Sequence, residues 1–158
     1  MNFLIDEAHN ISKGSNAVVS FLHYFFENFG LGESSVHLHC DNCSGQNKNN
    51  FVLQYLAWRV ASGLHKSISL NFLVAGHTKF APDWCFGLLK QAFRCHAISS
   101  LEVLEEVVNG SASCNVAQLV GKEDGESRVP VRNWQALFKG HGSALKGIKG
   151  FQHFRYAC

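Results

Sequence analysis

Val36-His37-Leu38-His39-Cys40-Asp41-Asn42-Cys43-Ser44-Gly45-Gln46-Asn47-Lys48-Asn49-Asn50 decides how the chain folds. Apolar Val36, Leu38 and Cys40 alternate with polar His37 and His39, the two-residue period of a half-buried strand. The alternation stops at Asp41 in a run of Asn, Ser and Gly. A carboxylate is therefore expected at the carboxyl end of a strand. The segment that follows, Phe51 to Val60, is too long and too continuously apolar for one strand, and Val52, Tyr55, Leu56 and Val60 fall on one helical face. Strand, polar loop and buried helix put the loop in the crevice beyond the strand ends of an open α/β sheet, where such folds bind ligands.

Upstream, Asn2 to Ile5 reads as a short strand. Ser15 or Asn16 is expected to cap a helix from Ala17 to Phe29, with Val18, Phe21, Leu22, Phe25 and Phe29 inward and Gly30-Leu31-Gly32 ending it. Downstream, Ser67 to Val74 reads as a strand leading into Ala75-Gly76-His77-Thr78. Pro82 and Asp83 then open a helix to about Arg94, with Trp84, Leu88, Leu89 and Phe93 facing inward. A helix over Ser100 to Val108 carries a capping box in Ser99 and Glu102. Beyond Ser111 the elements shorten: strands at Val116–Val120 and Val129–Val131 joined by the charged turn 122–126, a helix from Asn133 to Lys139, and an alternating strand over Gly150–Tyr156. The expected class is α/β with a small α+β C-terminal appendage, residues 1–110 forming the core and 111–158 an extension packed on the same domain.

Composition narrows the function classes less than the motifs do. At 158 residues, 46% hydrophobic, the chain suits one ordinary domain with its own core. A formal charge of +2 permits nucleic acid as a partner without arguing for it, since no basic run exceeds two residues. Thirteen Phe and three Trp imply an aromatic interior or apolar faces awaiting a partner. Met1 to Ile5 runs into Asp6 and Glu7 without a secretory pattern, so the six cysteines are expected to be reduced and the location intracellular, nuclear if the chain meets DNA. No apolar run approaches the ~18 residues a membrane helix needs.

Asp41 and Asp83 are the leading pair for chemistry. Two carboxylates in strand-end and helix-start positions could share Mg2+ or Mn2+ for phosphoryl transfer, although Asp83 also suits a helix first turn for the dipole alone. His39, Cys40 and Cys43 invite a zinc reading, weakened by the lack of a second Cys pair and by the alternation that throws His37 and His39 to the face opposite Cys40. His77 could orient a carboxylate or bind phosphate. Lys48, Lys79, Lys90 and Arg94 are candidates for contacts to a phosphate backbone. His153 and Arg155 share one strand face and read as an exposed edge.

The stretches Asp41–Asn50, Phe72–Lys90, Asn115–Gly121 and Gly147–Tyr156 together resemble an uncharacterised domain of transposon-derived animal proteins, itself similar to the ribonuclease H-like core of DDE-type transposases. The resemblance implies a mixed sheet flanked by helices, two-metal phosphoryl transfer on DNA as the ancestral activity, and three metal-binding carboxylates. Asp41 matches the second of these and Asp83 the third. It also implies that the first two strands, with the leading aspartate, are missing, that the Asn2 to Ile5 strand lacks its usual neighbours, and that neither Asp6 nor Glu7 substitutes. The expectation is a truncated domain without independent nuclease activity. DNA, self-association or a partner covering the incomplete sheet are the expected interactions, and no membrane. The alternatives are a non-catalytic nucleic-acid or protein interaction module and a zinc-stabilised structural module.

Overall fold

The computed structural model describes residues 1–6, 14–73, 81–121 and 126–158. Its elements in chain order are β1 (Asn2–Leu4), α1 (Ser15–Phe29), β2 (Ser35–Cys40), α2 (Asn50–Ala61), β3 (Ser67–Phe72), α3 (Ala81–Cys95), α4 (Leu101–Ser111), β4 (Ala117–Leu119), α5 (Trp134–Phe138) and β5 (His153–Ala157), with a 3-10 turn at Ile148–Gly150 before β5. They fall into two units, Met1–Ile11 with His77–Pro130, and Ser12–Gly76 with Val131–Cys158. The class is mixed α/β with two small sheets. Gly76-His77-Thr78, Lys79 and most of the 122–126 turn lie outside the described residues. Among the described residues, no helix is long and apolar enough to cross a membrane.

The second unit is built on a three-stranded sheet of order β2-β3-β5. β2 runs parallel to β3 with Val36 opposite Ile68 and Leu38 opposite Leu70, and β5 runs antiparallel on the other side of β3. Parallel strands need a crossover between them, and α2 supplies it. Its Val52, Tyr55, Leu56 and Val60 pack with Ile68, Leu70 and Phe72, and the half-buried Val36, Leu38, Phe154 and Tyr156 complete the layer. Trp134 and Phe138 of α5 close the core from the side, Trp134 meeting Tyr55 edge-on with ring centres 5.1 Å apart.

Helix α1 docks by a different face from the one its apolar residues suggest. Ser15, Ala17, Val19 and Ser20 are its buried residues, whereas Phe25 and Phe29 are exposed. Small residues there allow close approach, and Ser20 is the reason for the rotation. Its Oγ accepts from Trp134 Nε1 and from the Arg132 backbone N–H, both at 2.9 Å, and donates to the Asn16 carbonyl at 2.7 Å. Ser15 and Asn16 lie inside the helix rather than capping it. Gly14 holds the cap position without a side-chain bond, and Asn16 instead receives the Gln135 N–H at 3.0 Å. Of the closing glycines, Gly32 is left-handed, φ 81°, and Gly30 is not.

A second tie between α1 and α2 is polar and leaves no mark in the periodicity. Arg59, 3% exposed, donates to Glu27 Oε1 at 3.1 Å, to Tyr55 Oη at 3.0 Å, and to the Nδ1 atoms of His23 and His65 at 3.2 Å. Its guanidinium also lies 4.7 Å from the centre of the Phe26 ring. Because a guanidinium only donates, both imidazoles must present an unprotonated Nδ1.

In the first unit β1 pairs in parallel with β4, Asn2 to Ala117 through Leu4 to Leu119. The Asn2–Ile5 strand, expected to lack its usual neighbours, thus has β4 beside it: Asn2 N–H donates to the Val116 carbonyl at 2.6 Å and Val120 N–H to the Leu4 carbonyl at 2.9 Å. Asn115, almost fully buried, ties this sheet to α3 and α4 by donating to the Cys85 carbonyl at 3.0 Å and Ser111 Oγ at 2.9 Å. Helix α4 is capped by Ser100, whose Oγ accepts from Val103 N–H at 3.3 Å, rather than by Ser99. Helix α3 buries no residue: Leu88 and Leu89 are half-buried, while Trp84 and Phe93, expected inward, are 65% and 50% exposed. Val129–Val131 forms no strand. Arg128 and Val129 both donate to the Val120 carbonyl, and Pro130, lacking an N–H, stops the pairing.

Two outcomes follow from the second unit's interior. Ser20→Ala removes the acceptor of two donors and should lower unfolding free energy by about 1–3 kcal/mol in urea denaturation, with the Trp134 fluorescence band shifted. The pH dependence has a definite sign. Burial lowers the pKa of His23, aided by Arg59 and Arg132 and opposed by Glu27; burial and Arg59 lower that of His65 against Glu33 and Glu27. The unfolded chain therefore binds more protons below the ordinary histidine value of about 6.5, so stability is full above it and falls as pH drops toward the folded values. The urea midpoint should fall between pH 7.5 and 5.5, and His65→Gln should flatten that fall.

Candidate functional site

The loop between β2 and α2 is held by its own side chains. Asp41 Oδ1 accepts from the Cys43 backbone N–H at 3.1 Å and from Asn47 Nδ2 at 2.7 Å, the local turn that short acidic side chains favour. The Cys43 carbonyl then takes N–H groups from Gln46, Asn47 and Lys48. Asn49 caps α2, its Oδ1 accepting from Phe51 N–H at 3.1 Å and Val52 N–H at 3.2 Å. Asn42 Nδ2 donates to the Leu73 carbonyl and so fastens the loop to the end of β3.

Inside this frame the Lys48 side chain is drawn inward. It is 4% exposed, and its Nζ donates to Asn42 Oδ1 at 2.8 Å and to Gln152 Oε1 at 3.3 Å while lying 4.8 Å from the centre of the Phe72 ring. These described partners are all neutral. Asn42, Ser44, Lys48, Lys149 and Gln152 line an open cavity of about 340 Å³ at the carboxyl end of β2. A second ammonium, Lys149, thus faces the same space. Two cations with amide and hydroxyl groups suit an anion carrying several acceptor oxygens, and a phosphate ester has that form.

Among the sequence-predicted residues, the structure places Asp41 at the loop's base, as expected, and Lys48 in the crevice. Asp83 stands in the first turn of α3, in the other unit, together with exposed Lys90 and Arg94. His77 and Lys79 lie outside the described residues. Among the described residues, no three His, Cys, Asp or Glu side chains come close enough together to hold a metal ion. The described donors therefore do not fit a magnesium or manganese pair. The zinc set does not assemble either. Cys40 points to the half-buried side, and burial, with Asp41 beside it, pushes its thiol up to about 12, while His37 and His39 point to the exposed face. Lys149 and Gln152 escape a reading of the sequence because about a hundred residues separate them from the loop; only the Gly147–Tyr156 stretch hints at them.

With this geometry in hand, the pattern of one family, "Domain of unknown function (DUF7869)", matches residues 2–158. The chain belongs to that family. No curated protein and no solved structure matches it. The DUF7869 match spans both units, so the crevice and the Asp83 helix belong to one family domain.

Asp41 is a loop-building residue in this arrangement. Asp41→Ala should lower unfolding free energy by about 1–2 kcal/mol, since two donors lose their acceptor, whereas Asp41→Asn, which keeps an oxygen at that position, should recover most of the loss in thermal melting.

Proposed function

We propose that this chain is a transposase-derived, ribonuclease H-like domain that binds nucleic acid through the strand-end crevice and does not cleave it. The observation that carries the reading is Lys48: a buried ammonium whose described partners are two amide oxygens and a ring. Burying a charge is costly unless an opposite charge compensates it, and the crevice opens on that charge with Lys149 alongside. A phosphodiester oxygen is the compensating group. The motif resemblance supports the ancestry, and the parallel β2-β3 pair joined by α2 is compatible with it. Binding without cleavage is favoured because Asp41 is committed to the loop and no described donor set surrounds it.

A second reading, a partner strand, is favoured by one observation: among the described residues β2 pairs only with β3, so its outer edge is open. It is compatible with the first, because the crevice lies beyond the strand end.

The test is fluorescence anisotropy with a labelled DNA oligonucleotide. Lys48→Met should weaken binding roughly tenfold at low salt and reduce the salt slope by about one. Incubation of the wild type with DNA and magnesium or manganese should leave the DNA intact. Unchanged affinity in Lys48→Met, with the fold retained, would sink the crevice reading.

A further inference from the structure

The same sheet has a second polar surface, on the side away from α2. Register places His37, Ser69 and Arg155 in one row across β2, β3 and β5, and His39, Asn71 and His153 in the next. Successive residues of a strand point to opposite faces, so all six share the face opposite Val36, Leu70 and Phe154. Ser69 Oγ is hydrogen-bonded to His37 Nδ1 at 2.6 Å, and Asn71, which donates to the Leu38 carbonyl, turns its Oδ1 to His153 Nδ1 at 2.5 Å. These bonds use Nδ1 of the His37 and His153 rings. His37, His39, His153 and Arg155 are exposed, and the surface dips into a shallow cavity of about 390 Å³.

The charge is one-sided. β2, β3 and β5 contain no Asp or Glu at all, while Arg155 and three formally neutral histidines stand on this face. Gln152, which lines the crevice, immediately precedes His153, and the alternation turns the two side chains to opposite sides of the sheet, so the open face is a surface separate from the crevice.

We propose that the open face of the β2-β3-β5 sheet is a second contact for the sugar–phosphate backbone of a nucleic acid, with Arg155 as its phosphate-binding group and His37 and His153 flanking it. It rests on the reading of the domain as a nucleic-acid binder and adds a phosphate contact on the open face to the one at the crevice. Arg155 supplies a permanent charge with several donors, and the pinned rings lose little rotational freedom on binding.

The test uses the full chain with fluorescein-labelled single-stranded and duplex DNA of one sequence, titrated by anisotropy from about 50 to 200 mM NaCl. The expected result is that His37→Gln/His153→Gln/Arg155→Gln weakens binding roughly tenfold on at least one probe and lowers the salt slope by about one or more, in addition to the effect of Lys48→Met. Unchanged affinity and slope in the triple variant overturn the proposal, and a loss confined to Lys48→Met then leaves the crevice alone as the site. A loss in the triple variant with none in Lys48→Met supports the face and removes the crevice. Displacement of DNA by polyglutamate at equal charge concentration overturns the proposal in favour of an acidic protein partner. Failure of the wild type to bind either probe overturns both readings. Should the triple variant lose its native circular dichroism, Arg155→Glu at an exposed position decides the matter: weaker binding supports the face and unchanged binding overturns it.

Discussion

The parallel pairing of β2 with β3, Val36 against Ile68 and Leu38 against Leu70, is the constraint on which the second unit depends. Strand side chains alternate, so a slip by one residue would carry the apolar set to the wrong face and bring His37 and His39 under α2. The register thereby settles three things together. It presents Ile68, Leu70 and Phe72 to Val52, Tyr55 and Leu56, collects the histidines and Arg155 on the open face, and ends β2 where Asp41 can start the loop. Core, surface and crevice are consequences of one pairing.

Much of this is legible because it is encoded locally. The alternation in Val36–Cys40 and the apolar face of Phe51–Val60 lead to strand, loop and helix nearly at their observed bounds. What fails has non-local causes. Periodicity ranks α1 residues by hydrophobicity, yet Ser20 faces inward because the Trp134 indole, more than a hundred residues away, needs an acceptor. Phe25 and Phe29 are displaced outward as a result. In the first unit, β1 finds β4 through a pairing that no motif announces, and α3 looks inward-facing by pattern while burying nothing. The candidate site is half legible: the loop is evident from its polar run, but Lys149 and Gln152 reach it only through the fold, and His153 and Arg155, which read as a plain edge, become a surface only beside β3.

Two buried cations in this unit differ in how their charge is met. Arg59 is compensated on several sides: Glu27 supplies a carboxylate at 3.1 Å, Tyr55 and two imidazoles supply acceptors, and the Phe26 ring covers a face. Such a network joins helices, and removing a member costs stability because the guanidinium would be left unpaired. Lys48 is as deeply buried, and its polar partners among the described residues are Asn42 and Gln152. Neutral amides orient an ammonium without neutralising it. The fold tolerates this where the site is open to solvent or to an anion on one side, and the crevice is open. In a low-dielectric setting a charge met by neutral dipoles attracts a counter-charge more strongly than a surface lysine could, and on the proposed reading this suits Lys48 to fixing one phosphate in place. The exposed Arg155 has the opposite character, since its charge lies in solvent and is screened by salt.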